Sequence, residues 1–150
     1  KRLHLGHFIH RRRKYQMVDT PGLLDRPNSE RNQIEMQAIA ALENVGDIVL
    51  FLIDPSESGG TPLQEQMSLL REVKDLISAR KIILVHSKSD LDSKESIPGA
   101  IMVSSTKSTG LEELREKVVH EIAADAIVDP LQLPEGWHRE DTEIKEHSLD

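Results

Sequence analysis

Met17-Val18 closes on Asp19-Thr20-Pro21-Gly22. A carboxylate at the end of a strand can hold a metal-bound water, and a glycine amide three residues on can approach a terminal phosphate with no Cβ in the way. Taken alone, Asp-x-x-Gly also describes many strand-end turns. A second polar group, His86-Ser87-Lys88-Ser89-Asp90, follows the apolar run Ile82 to Val85, about 70 residues after the first. A carboxylate there can accept two parallel hydrogen bonds from N1 and N2 of guanine, which adenine does not offer, while a lysine stem lies along the base plane. Ser104-Ser105-Thr106, after Ile101 to Val103, suits a tight turn whose backbone N–H groups bond the guanine O6. Order, spacing and strand context together point to a guanine nucleotide, GTP or GDP with Mg2+, and to Asp19 as the candidate metal ligand. A fourth polar strand end, Asp54-Pro55-Ser56-Glu57, follows Ile48 to Ile53 and matches none of these roles.

Such residues act only if strands carry them to one edge, where ligands of doubly wound sheets bind. The chain alternates short apolar runs with longer helical patterns, the signature of βαβ units in a mostly parallel sheet. Leu3 to His10 reads as an antiparallel edge strand joined to Lys14 to Val18 by the basic turn Arg11-Arg12-Arg13-Lys14. Ile48 to Ile53 is apolar on both alternating faces, as an interior strand covered by helices requires. Helical spacing relates Ile34, Ala38, Ala41, Leu42 and Val45, then Leu63, Met67, Leu70 and Ile77, then Leu111, Leu114, Val118 and Ile122. Thr61 with Pro62 and Gln64, and Thr109 with Glu112, predict capping-box starts for the second and third helices. One layered sheet is the expected arrangement, with no internal repeat. From Asp129 the sequence turns acidic and loses its period, so residues 127–150, with the single Trp137, read as a tail or linker after a domain over residues 1–126.

Composition bounds the rest. The 150 residues carry a formal charge of −7, 37% apolar and 3% aromatic residues and no cysteine, which excludes disulfide scaffolds, thiolate metal sites and cysteine nucleophiles. No apolar run approaches the roughly 20 residues of a membrane helix and no signal peptide opens the chain, so a cytoplasmic protein with no membrane partner is expected. Residues 1 to 14 hold six Lys/Arg and no Asp/Glu, a basic end on an acidic body, read as a solvated turn with nucleic acid as a secondary possibility. The chain opens on Lys1 and not on methionine, which predicts residues upstream of it.

His4, His7 and His10 invite a metal reading, but a spacing of three puts successive members on opposite faces of a strand. An edge strand with exposed imidazoles is the expectation. His86 reads as a neighbour of the base pocket or a near-core histidine.

The motifs resemble the guanine-nucleotide-binding domain of P-loop GTPases. The stretch Val18 to Leu42, VDTPGLLDRPNSERNQIEMQAIAAL, closely resembles the Nog family, the nucleolar GTP-binding proteins and archaeal relatives among the Obg-like GTPases. Gly6-His7-Phe8, Asp54-Pro55-Ser56-Glu57 and Glu65-Gln66 continue the pattern, and the likeness runs from about Leu3 to about Ala126. The resemblance implies a three-layer α/β G domain. Asp19, Thr20, Pro21 and Gly22 then belong to the metal and γ-phosphate motif, Ser87, Lys88 and Asp90 to base recognition, and Ser104, Ser105 and Thr106 to the guanine-contacting turn. Leu23 to Arg31 would be the second switch. Implied too are hydrolysis of GTP to GDP as a switch in large ribosomal subunit assembly, and ribosomal RNA or a large-subunit precursor as partner.

Departures from the family pattern qualify this. Ser87 stands where the family usually has asparagine, and Leu23 where Ras-like GTPases carry the glutamine that orients water, so slow or assisted hydrolysis is expected. No Gly-x-x-x-x-Gly-Lys-Ser/Thr occurs in the 150 residues, so the first strand and phosphate loop of such a domain are absent from this sequence. The expectation is therefore a GTPase domain whose parent chain hydrolyses GTP and whose residues 1–150 alone do not. The alternative is a pseudo-GTPase that binds RNA or protein as a scaffold through its basic first strand.

Overall fold

The computed structural model describes residues 4–19, 46–93 and 95–128. In chain order they form strands β1 (His4–His10), β2 (Arg13–Asp19) and β3 (Ile48–Ile53), helix α1 (Leu63–Leu76), strands β4 (Lys81–His86) and β5 (Ile101–Met102), and helix α2 (Leu111–Val128). Thr20, Pro21, Gly22 and Leu23, the helix expected from Ile34 to Val45, and residues 129–150 of the expected tail, with Trp137, lie outside the described residues; residues 127 and 128 belong to α2. No described helix is long and apolar enough to cross a membrane.

The strands fall into two ladders where one sheet was expected. β1 and β2 pair antiparallel, from His4 opposite Asp19 to His10 opposite Arg13, while β3, β4 and β5 form a parallel sheet in that order. No ladder among the described residues joins β2 to β3, so each presents an unpaired edge. The α/β class with parallel strands and intervening helices stands as expected. The hairpin turn is tighter than the basic run implied: only Arg11 (φ 46°) and Arg12 (φ 66°) form its tip, and Arg13 and Lys14 belong to β2.

The core lies between the parallel sheet and α1. Period-two alternation sends Val49, Phe51 and Ile53 of β3 to one face, where Phe51 and Ile53 are buried with Leu69, Leu70 and Val73 of α1, then Ile77 and Ile97. Each such side chain stabilises the fold by roughly 1.5–3 kcal/mol through removal from water. The opposite face of β3 is covered less: Ile48 and Leu50 are half-buried and Leu52 is 55% exposed. The expectation of a strand covered on both faces holds on the α1 face alone.

α2 joins the ladders. Lys81, at the start of β4, and Lys117, at 2.6 Å, both pair with Glu121, and their hydrogen bonds hold its carboxyl at about 2. Toward the hairpin, the Arg115 guanidinium lies 5.8 Å from the ring centre of Phe8, which stacks on Tyr15 across β1 and β2 at 5.0 Å.

Both helix starts differ from expectation. α1 begins one residue late, with Pro62 in an extended conformation as its cap, and the Leu63 N–H donates to the Glu57 carboxylate at 2.7 Å. The capping box at Thr109 does not form. Its N–H donates to the Ser104 carbonyl at 3.0 Å, and Glu112 turns to Arg115 at 2.8 Å instead.

Candidate functional site

Parallel pairing brings the loops after β3, β4 and β5 to one end of the sheet. Ile53 lies opposite His86, and His86 opposite Met102, so the polar residues that follow each strand start side by side. Ser87 fastens the first two loops, its N–H (2.8 Å) and Oγ (2.9 Å) both donating to the Ile53 carbonyl. Its short hydroxyl is thereby committed to the neighbouring strand, where a longer amide side chain would reach beyond it.

Asp54 is the hub of the first loop. One carboxylate oxygen accepts from the Ser56 N–H at 3.1 Å and the Ser56 hydroxyl, an Asx turn. The other accepts from Ser58 Oγ at 3.1 Å and Lys88 Nζ at 2.7 Å, and Lys88 also reaches Ser58 Oγ at 2.7 Å. Partial burial pushes this carboxyl up, but the hydrogen bonds from Lys88, Ser56 and Ser58 and the lysine charge outweigh it and hold it at about 2. Beneath the loop, the buried Gln66 of α1 accepts from the Asp54 N–H at 2.8 Å and donates to the Asp54 and Thr61 carbonyls, each at 2.9 Å. A strand end and a helix start are thus locked by one side chain.

The second and third loops meet at Asp90 and Ser104. Ser104 is fully buried; its hydroxyl donates to Asp90 Oδ1 and accepts the Lys107 N–H at 3.0 Å, and its backbone pairs with Thr109 in both directions. The Ser104 hydrogen bond holds the Asp90 carboxyl below its ordinary range. A carboxylate has about four acceptor positions, so with one taken by Ser104 and one by the Asp90 backbone N–H, two remain on an exposed, oriented group. Ser105 and Thr106 are exposed in the same turn. Gly110, at φ 74°, closes it against β5: a Cβ there would meet the Met102 carbonyl oxygen at 1.9 Å.

Of the residues singled out in the sequence, Ser87, Lys88, Asp90, Ser104, Ser105 and Thr106 therefore come together. Asp19 stands exposed at the end of β2, on the other ladder. Asp54, Ser58 and Gln66 join them without a role in the sequence motifs, and serines two and four residues past a strand-end aspartate are the signal for such a polar knot. His86 is buried, as a near-core histidine. A cavity of about 300 Å³ beside Lys74, Lys81 and Lys117 lies by the start of β4, at the opposite end of the strand from these loops.

The family model described as Nucleolar GTP-binding protein 1 (NOG1) matches residues 33–90. An uncharacterized protein of Methanocaldococcus jannaschii is 52% identical over 82 residues, 55% of this chain and 23% of that protein. Nucleolar GTP-binding protein 1 of Saccharomyces cerevisiae is 33% identical over 148 residues, 88% of this chain and 23% of its own length. A crystal structure assigned as nucleolar GTP-binding protein 1 of Plasmodium falciparum superimposes with TM-score 0.70 at 30% identity, covering 85% of this chain and 73% of that one. The chain belongs to the nucleolar GTP-binding protein 1 family. It spans about a quarter of the Methanocaldococcus and yeast relatives, 23% of each. The family name also corrects one expectation. A cytoplasmic placement rested on the lack of a targeting segment, whereas the yeast relative and the family description are named for the nucleolus.

Proposed function

We propose that this chain binds guanine nucleotide through the loops after β4 and β5, with Asp90 selecting the base, as part of a GTPase of the nucleolar GTP-binding protein 1 family. The observation that carries the reading is the Asp90 carboxylate, exposed yet oriented by the buried hydroxyl of Ser104. Its remaining acceptor positions suit the two parallel N–H donors on the guanine edge, and Lys88 supplies a stem beside it. Ser105 and Thr106 close over the base. Family relatives named for GTP binding give independent support.

On the phosphate side, Mg2+ takes oxygen ligands and keeps several waters, so a single exposed carboxylate such as Asp19 fits it as one donor. When bound, the ion would neutralise phosphate charge. By family likeness Thr20, Pro21 and Gly22 complete that motif, which would sense the γ-phosphate. Hydrolysis to GDP would act as a switch in large ribosomal subunit assembly, with ribosomal RNA or a precursor particle as partner; that part rests on family likeness. With Leu23 in place of a water-orienting glutamine, the rate depends on a group supplied from elsewhere.

The test is base specificity in the full-length parent protein. Asp90→Asn should exchange preference for GTP for preference for xanthosine triphosphate, measured by competition against a fluorescent nucleotide. A variant that keeps the GTP preference overturns the assignment.

A second reading, an RNA-binding scaffold, is favoured by the hairpin tip, where two arginines occupy a left-handed backbone. Strain of that kind clusters at working surfaces. RNA affinity that falls steeply with salt and is lost on replacing Arg11, Arg12 and Arg13 would support it.

A further inference from the structure

His10 departs from the exposed imidazole expected on β1. Its side chain is nine-tenths buried, and its Nε2 is a buried polar atom with no hydrogen-bond partner among the described residues. Buried polar atoms are paired in the great majority of cases, so an unpartnered ring nitrogen needs an explanation. This one faces carboxylates. Glu116 Oε1 of α2 lies 3.5 Å away, too long for a good hydrogen bond, and one oxygen of Glu112 joins them, the three atoms all within 4.8 Å of one another.

Glu112 and Glu116 are four residues apart on α2, hence neighbours on one face, where two like charges repel. Around them, Arg115 takes Glu112 Oε2 at 2.8 Å and leaves the other carboxylate oxygen. We propose that His10, Glu112 and Glu116 form a binding site for a divalent first-row transition metal, with Zn2+ as its representative. Zn2+ binds imidazole and carboxylate at about 2.0–2.2 Å, which in a tetrahedron sets ligand atoms about 3.4 Å apart. The His10–Glu116 separation already matches that spacing. The two glutamate side chains, 66% and 50% exposed, are free to swing inward and close the third edge. Imidazole among the donors and only two carboxylates disfavour Ca2+, which gathers six to eight oxygens, and Mg2+, which demands an octahedron. Three protein ligands leave the fourth position to water or to a donor from another molecule. The site would pin the hairpin to α2, joining elements roughly a hundred residues apart.

The experiment is calorimetric titration of Zn2+ into the full-length parent protein, repeated with Co2+ followed by visible absorption. Saturable binding is expected, with affinity reduced tenfold or more by His10→Gln and by the double change Glu112→Gln, Glu116→Gln, and unchanged by His7→Gln, which alters an exposed histidine on the opposite face of β1. Co2+ should give the intense visible bands of a four-coordinate ion, lost in the same variants. Because both glutamates are exposed, their replacement leaves the fold intact, so the double variant decides the matter even if His10→Gln unfolds. Zn2+ affinity that survives the double variant, falls equally with His7→Gln, or is matched by Mg2+ or Ca2+ overturns the proposal.

Discussion

Asp54 shows how much a single carboxylate can organise. Four donors converge on it, from Ser56 twice, Ser58 and Lys88. Its folded pKa of about 2 lies below the ordinary 3.8, so the ionised form is favoured by folding. The stability this contributes is complete above the ordinary value and lost as pH falls through the folded one. Asp54→Asn should cost about 1.5–3 kcal/mol at neutral pH, and urea melts should show that gap narrowing between about pH 4 and pH 2. At the neighbouring knot, Ser104→Ala would remove the hydroxyl that orients Asp90 and partners the Lys107 N–H, costing about 1–3 kcal/mol in the same melts and weakening guanine nucleotide binding with it. The sequence displayed both aspartates as strand-end polar residues. That Lys88 reaches Asp54 was not legible, because the contact depends on the parallel register that sets Ile53 opposite His86.

Elements were legible where apolar runs had the right period and obscured where their ends depend on distant groups. All five strands and both described helices coincide with runs read from the sequence, to within a residue or two at their ends. Their starts differ because Glu57, itself at φ 55°, reaches across six residues to the Leu63 N–H, and because Thr109 is already bonded to Ser104. His10 is hidden by a helix roughly a hundred residues further along, a contact no local pattern contains. The turn before α2 is the most constrained junction. Gly110→Ala forces a side chain into a left-handed backbone and onto the Met102 carbonyl. A loss of at least about 2 kcal/mol should appear in thermal melts, with weaker nucleotide binding as the 104–109 turn shifts. The hairpin tip offers the opposite sign. Arg12, at φ 66°, occupies a position that favours glycine, so Arg12→Gly should raise stability by about 1 kcal/mol, read as a higher melting temperature.

At the scale of the molecule, two ladders whose edges are unpaired among the described residues stand beside exposed apolar side chains. Leu5 and Ile9 of β1 are each 67% exposed, Met17 of β2 49% and Leu52 of β3 55%. Unpaired edges with apolar neighbours invite pairing with another chain. Residues 1–150 expressed alone should therefore self-associate, seen by sedimentation as species heavier than the 16.9 kDa monomer; a monodisperse monomer with a cooperative melt would contradict this. The split has a temporal side as well. A hairpin closed by a two-residue tip needs only local search and forms in about 1–10 μs. The β3–β4 pair must first bring together Ile48 and Lys81, more than thirty residues apart, with α1 folded between them. Local and non-local pairing thus form on separate clocks, and the apolar hairpin is on display while its docking helix, roughly a hundred residues further along, has yet to leave the ribosome.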